Sequence, residues 1–268
     1  MTSFSDELPS SDDPLRFPDA TARISVCLPA RNEQATIAAA LAPMVALLRA
    51  GEIAQLVVVD ESDDDTALTA REAGAEVYRQ SELMDGFGPV LGKGDAMWRA
   101  LTVLTGEVIV WLDADCTSVN SDYVRALVRP ILEHRAQLVK ACYRRPLNGD
   151  PEGGGRVNRL MARPLLRRLH PELEWLTQPL AGETAMTRSL ALNLPFACGF
   201  GVEFGHIVHS SQLGARLAEV DLGVHLHRHR SLADLEATAA EVLAVGCGDE
   251  RTVYRPAMTS LAASTSSH

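Results

Sequence analysis

The run Val108, Ile109, Val110, Trp111, Leu112 is apolar without interruption and stops at Asp113, Ala114, Asp115. A strand with no polar alternation has no face to offer to water, so it belongs in a sheet covered on both sides. Ile24 to Leu28, stopped by Pro29, and Leu56 to Val59 have the same character, and Ala75 to Tyr78 reads as a further strand. Between them lie segments of helical period. Gln34 to Leu48 repeats Ile37, Leu41, Met44, Val45 and Leu48; Thr66 to Ala73 is stopped by Gly74; Lys93 to Leu104 repeats Ala96, Met97, Ala100, Leu101 and Leu104. Buried strands alternating with amphipathic helices predict an α/β fold with a mostly parallel central sheet, its N-terminal half of nucleotide-binding type. Such sheets bind ligands at the carboxyl ends of their strands, which is where Asp113 and Asp115 fall.

The pattern changes after Asp115. Asn120 or Ser121 caps a helix reaching about Glu133, Leu138 to Tyr143 reads as a strand ending in Arg144 and Arg145, and Gly153 to Gly155 opens a basic helix over Arg156 to Arg168. Val220 to His229 alternates in its final part, Leu232 to Val245 is helical, and Thr259 to His268 is small and polar. Residues 1–22, rich in Ser, Asp and Pro, are expected to form a flexible tail, as are residues 249–268.

A net charge of −10 argues against nucleic acid or an anionic membrane as the main partner, because both reward a basic face. No apolar run approaches the roughly 20 residues of a membrane span, and Met1 to Asp13 is acidic where a signal peptide is basic, so a cytoplasmic protein is expected. The five cysteines follow no paired spacing, which points to reduced thiols in the core rather than disulfides or a zinc knuckle.

Several residue groups carry chemistry, each with a plainer alternative. Asp113 and Asp115, separated by one small residue, direct both carboxylates to one rim and suit a hard divalent cation; the alternative is a helix cap. Asp60 ends the second strand and is placed to meet a ribose or base, whereas Asp63, Asp64 and Asp65 equally suit a solvated turn. Gly92, Lys93 and Gly94 set a lysine between two glycines at a helix start, a phosphate cradle or a surface turn. Gly153, Gly154, Gly155 and Arg156 repeat that device with a guanidinium, or form a flexible loop. His225, His227 and His229 alternate, so an extended chain turns all three imidazoles one way, where one can complete a metal site begun by Asp115.

In combination these residues resemble one family. Leu28-Pro29-Ala30-Arg31-Asn32-Glu33, Gly92-Lys93-Gly94-Asp95-Ala96-Met97-Trp98, Asp113-Ala114-Asp115, Tyr143-Arg144-Arg145-Pro146-Leu147-Asn148 and Gly153-Gly154-Gly155-Arg156-Val157 occur in its order. Gln178-Pro179-Leu180-Ala181-Gly182-Glu183, Gly199-Phe200-Gly201-Val202-Glu203 and Asp221-Leu222-Gly223-Val224 before His227-Arg228 continue it. Over Ile24 to Gly246 the chain is similar to the glucosyl-3-phosphoglycerate synthases, retaining glycosyltransferases of the GT-A fold.

The resemblance implies transfer of glucose from UDP-glucose to the 2-hydroxyl of 3-phosphoglycerate with retained configuration, aided by Mg²⁺ or Mn²⁺. It implies a donor site of Pro29, Ala30, Arg31, Glu33, Asp60, Ser62, Lys93, Asp113 and Ala114. Asp113, Lys93 and Glu203 are the expected catalytic residues, Asp115 and His227 the metal ligands. Gly155, Arg156, Asn158, Phe200, Glu203 and His229 are expected around a small anionic acceptor. Residues 23–118 then form the nucleotide-sugar-binding region, residues 119–248 the acceptor-binding and metal-completing part of the same domain, and a homodimer is a further implication. Asn158 stands where the family has threonine, Phe200 where it has tyrosine and His229 where it has asparagine; the turn after Asp60 is one residue short. Those departures keep two alternatives open: a related enzyme using GDP-mannose or another acceptor, and a non-catalytic nucleotide-sugar-binding protein.

Overall fold

The computed structural model describes residues 21–147, 149–150, 153–225 and 231–265. The expected tail over residues 1–22 lies almost wholly outside them. In chain order the first half runs β1 (Ile24–Ala30), α1 (Ile37–Arg49), β2 (Gln55–Asp60), α2 (Thr66–Ala73), β3 (Glu76–Arg79), α3 (Lys93–Ala100) and β4 (Val108–Trp111). The second half runs α4 (Ser121–Leu132), β5 (Leu138–Arg144), α5 (Arg163–Leu169), β6 (Thr184–Thr187), α6 (Arg188–Asn193), β7 (Phe196–Ala197), α7 (Val202–Gln212), β8 (Leu217–Val224), α8 (Leu232–Gly246), β9 (Tyr254–Arg255) and α9 (Met258–Thr265).

The central sheet has the order β3-β2-β1-β4-β6-β5-β8. All its pairings are parallel except those of β6, which runs against both β4 and β5. Parallel pairing aligns the carboxyl ends of β1, β2 and β4: Ala30 lies opposite Asp60, and Cys27 opposite Trp111. The expected apolar runs are the sheet's centre, and β2 and β4 are buried along their whole length. One face packs on α1 and α4 through Leu41, Met44, Leu127 and Ile131; the other packs on α3, α6 and α7 through Trp98, Leu190 and Phe204. Burial on both faces is why those strands carry no polar alternation.

Boundaries moved where side chains beyond the local pattern decided them. Pro29 does not end β1, because the strand needs no Pro29 N–H and continues to Ala30 beside Asp60. α3 stops at Ala100 and the chain leaves through turns, whose bonds include Leu104 N–H to the Ala100 carbonyl.

The flexible tail expected over residues 249–268 is not what the structure has from Tyr254 to Thr265. β9 pairs antiparallel with β7, Trp98 Nε1 donates to the Pro256 carbonyl at 2.7 Å, and Arg255 Nε meets Asp95 Oδ1 at 2.5 Å. Asp95 and Arg99 have no exposed surface, and Asp95 pairs with both arginines. Burial raises the Asp95 pKa, but the hydrogen bonds from Arg255, the Leu91 N–H and Arg99 together outweigh it and hold the carboxyl below its ordinary value. Ordering of this segment therefore depends on a partner 160 residues away, which local composition does not reveal.

Candidate active site

A cavity of about 510 Å³ opens at the carboxyl ends of β1 and β4. One wall includes Pro29, Ala30, Arg31 and Glu33 after β1, and Asp113, Ala114 and Asp115 after β4. Lys93 at the start of α3 lines it too, and Gly155, Arg156, Asn158, Phe200 and Glu203 come from the opposite side. Asp60 and Ser62 do not line it. Ser62 Oγ donates to Asp60 Oδ1 at 2.5 Å and accepts from the Asn32 N–H at 2.7 Å, so both residues are buried as the hub of the turn. Glu61 between them faces the cavity instead. His227 and His229 lie outside the described residues.

Lys93 is the electrostatic centre. Its Nζ lies 2.6 Å from Asp113 Oδ1 and 2.6 Å from Glu203 Oε1, with all three groups largely shielded from water. Burial works against the ammonium, but the two carboxylates raise its pKa above the ordinary value, so it stays charged. Burial likewise raises the pKa of Asp113, yet Lys93 outweighs it and holds that carboxyl at about 2. The result is one ammonium shared by two carboxylates at the floor of a concave site.

Glycines bring these groups together by allowing close approach. A Cβ at Gly94 would fall 1.9 Å from the Ala197 carbonyl oxygen, and one at Gly182 would fall 2.1 Å from Asp113 Oδ2. A Cβ at Gly199, whose φ is +77°, would fall 2.3 Å from Glu241 Oε2. The helix start at Lys93 is therefore packed backbone on backbone against Ala197 and Gly199, whereas the Gly199–Gly201 turn meets the Glu241 and Val245 side chains of α8.

Asn158 is buried, and its Oδ1 accepts from the Leu180 N–H at 2.9 Å. Beneath the floor, Lys140 is wholly buried and donates to the Ala181 carbonyl and to Thr184 Oγ1. Its desolvation pushes the pKa down to about 8.

Among the cavity residues that were not anticipated, Leu235, Thr238 and Glu241 all lie on α8. Glu241 Oε2 accepts from the Phe200 backbone N–H and so holds the turn that leads into Glu203. Their three-residue spacing puts them on one helix face, but nothing in that spacing says which neighbour the face meets.

The family model described as glycosyl transferase family 2 matches residues 25–202. Glucosyl-3-phosphoglycerate synthase of Mycolicibacterium smegmatis is 41% identical over 229 residues, covering 82% of this chain and 75% of the relative. The chain belongs to glycosyl transferase family 2, among the glucosyl-3-phosphoglycerate synthases. The family's Petrotoga mobilis member is 36% identical over 233 residues, 83% of this chain and 72% of that protein. The Mycobacterium tuberculosis synthase, solved with Mn²⁺, uridine-diphosphate-glucose and phosphoglyceric acid, superposes with a TM-score of 0.82 at 39% identity, over 90% of this chain and 92% of that one. Another structure of that enzyme holds Mg²⁺ and uridine-diphosphate.

A divalent ion fits the residues of this family member. Asp113 and Asp115 both reach the cavity wall, and carboxylate oxygens are the donors that Mg²⁺ and Mn²⁺ take. No helix among the described residues is long and apolar enough to cross a membrane.

Proposed function

We propose that this chain transfers glucose from UDP-glucose to the 2-hydroxyl of 3-phosphoglycerate with retention of configuration, giving glucosyl-3-phosphoglycerate. The observation that carries the reading is Lys93, held 2.6 Å from both Asp113 and Glu203 at the floor of the cavity. It is supported by the likeness to the M. tuberculosis synthase, which binds uridine-diphosphate-glucose and phosphoglyceric acid.

Pro29, Ala30, Arg31 and Glu33 form the nucleotide wall and Lys93 neutralises the departing diphosphate, whose charge grows in the transition state. Asp113 and Ala114 meet the sugar. Asp115, with His227, would hold the divalent cation, which supplies Lewis-acid stabilisation of the leaving group when bound. Gly155, Arg156 and Asn158 receive the anionic acceptor through backbone donors and a guanidinium. Glu203, fixed by Lys93, orients hydroxyls while the acceptor oxygen attacks from the face that UDP leaves. Residues 23–118 thus serve the donor and residues 119–248 the acceptor, across one cavity. The cytoplasm, which holds nucleotide sugars and phosphorylated hydroxy acids together, is the location this reading requires.

The test is a matrix of nucleotide sugars against 3-phosphoglycerate and related hydroxy acids with Mg²⁺ or Mn²⁺, recording product mass and anomeric configuration. The expected product is α-configured glucosyl-3-phosphoglycerate from UDP-glucose. Absence of transfer to 3-phosphoglycerate from every donor overturns the reading. Full turnover by Asp115→Asn overturns the metal assignment.

A further inference from the structure

Directly behind the Asp113–Asp115 turn, the chain buries three side chains of metal-ligand type that the transfer reaction does not use. Cys116 and Glu183 have no exposed surface and His225 is 2% exposed. Cys116 Sγ lies 3.4 Å from His225 Nδ1, and His225 Nδ1 lies 3.7 Å from Glu183 Oε1. The three ligand atoms all fall within 4.8 Å of one another. In a tetrahedral zinc site with S, N and O ligands, neighbouring corners are separated by about 3.3 to 3.6 Å, given metal–ligand distances of about 2.0 to 2.3 Å. The cluster is within a few tenths of an ångström of that spacing for both the sulfur–nitrogen and the nitrogen–oxygen pair.

A second observation points to a ligand. Glu183 Oε1 is buried with no hydrogen-bond partner, a costly state for an acceptor-only oxygen. Its companion oxygen is satisfied: Tyr143 Oη donates to Glu183 Oε2 at 2.7 Å, and Arg145 in turn donates to Tyr143 Oη at 2.5 Å. The His225 ring stacks on Tyr143, 4.2 Å between centroids and 16° between planes, which sets the direction of Nδ1. Ser118 Oγ lies 3.3 Å from Cys116 Sγ, placed to donate to a thiolate. Outer partners of this kind orient metal ligands.

We propose that Cys116, Glu183 and His225 form a site for a borderline-soft divalent cation such as Zn²⁺, separate from the Mg²⁺ or Mn²⁺ of the transfer reaction. Thiolate and imidazole select such an ion over the harder pair. On binding, the Cys116 S–H bond breaks, its proton leaves to solvent, and a metal–sulfur bond forms; nothing is oxidised or reduced. One thiolate and one carboxylate then balance the two charges of the ion. Because Cys116 follows Asp115 and His225 precedes His227 by two residues, the ion ties the segment after β4 to the segment after β8.

The experiment titrates Co²⁺ into the full chain under saturating Mg²⁺, watches for the thiolate-to-cobalt charge-transfer band in the near ultraviolet, and then competes with Zn²⁺. The expected result is a band that saturates at one Co²⁺ per chain, disappears on adding Zn²⁺ and is absent from Cys116→Ser. Tyr143→Phe, which frees Glu183 to turn, is expected to bind Co²⁺ roughly 10- to 100-fold more weakly. Absence of the band in the native protein overturns the proposal, as does an undiminished band in Cys116→Ser or native affinity in Tyr143→Phe. Should Cys116→Ser not fold, the native titration and Tyr143→Phe still decide it.

Discussion

The two walls of the cavity are built in different ways. The wall proposed to face the donor is mostly the ends of adjacent parallel strands, so Ala30 and the Asp113–Asp115 turn are aligned by backbone pairing that the hydrophobic runs themselves demand. The opposite wall is gathered from Gly154–Asn158, Gly199–Glu203 and one face of α8, segments that share no sheet register and meet through glycine contacts and single hydrogen bonds. A wall made of strand ends tolerates drift in its loops, whereas one made of packed loops is set by a few atoms. The donor side is therefore expected to fail through lost charge, and the acceptor side through lost position.

The largest effect expected is from Lys93→Ala, which leaves Asp113 and Glu203 facing each other without their shared cation. Removal of a single preorganised donor of this kind costs on the order of 10² to 10³ in turnover, read from UDP release under saturating substrates. A KM increase with kcat unchanged would break the assignment of Lys93 to the transition state.

Gly182→Ala comes next, because its Cβ would displace Asp113 rather than remove it. A misplacement near 1 Å costs about 10²-fold in kcat. Circular dichroism should show a folded protein while turnover falls, and native turnover would mean that Asp113 has room to move without consequence.

Lys140 tests the floor shared by both walls. Its folded pKa, about 8, lies below the ordinary 10.5, so between those values the unfolded chain binds the extra proton and stability rises with pH. The unfolding free energy of the native chain relative to Lys140→Met should rise across pH 8 to 10.5 by on the order of 2 to 3 kcal/mol. A flat difference would place a charged partner beneath the site.

The smallest effect expected is on the wall proposed to hold the acceptor. Asn158→Ala removes the side chain that accepts from the Leu180 N–H and forfeits that bond, worth about 0.5 to 1.5 kcal/mol. The KM for 3-phosphoglycerate should rise about 3- to 10-fold with the KM for UDP-glucose unchanged. Equal changes in both constants would erase the distinction between the walls.

Much of the wall at the strand ends is legible in the sequence. The apolar runs of β1, β2 and β4 define buried strands, Asp113 and Asp115 stand where the third of those runs ends, and the glycines around Lys93 mark a helix start that a backbone can approach closely. The expectation for Asp60 and Ser62 went as far as the strand end; the hydrogen bonds that turn both side chains inward, leaving Glu61 at the cavity, form only when Asn32 and Ser62 meet. Glu241 and Arg255 were illegible for a related reason: each acts on a backbone or carboxylate far along the chain, at Phe200 and Asp95, and no local period encodes such a partner.

The amino-acid sequence by itself determined the covered parallel sheet, the strand-end acids and the glycine-flanked lysine, because hydrophobic period and chain chemistry act over a few residues. Only the tertiary structure decided that Lys93 sits between Asp113 and Glu203, that α8 closes the far wall, that the C-terminal segment is stitched to Asp95, and that Cys116, Glu183 and His225 share one buried spot. Those are distances between residues remote in sequence, and they exist only once the core has packed.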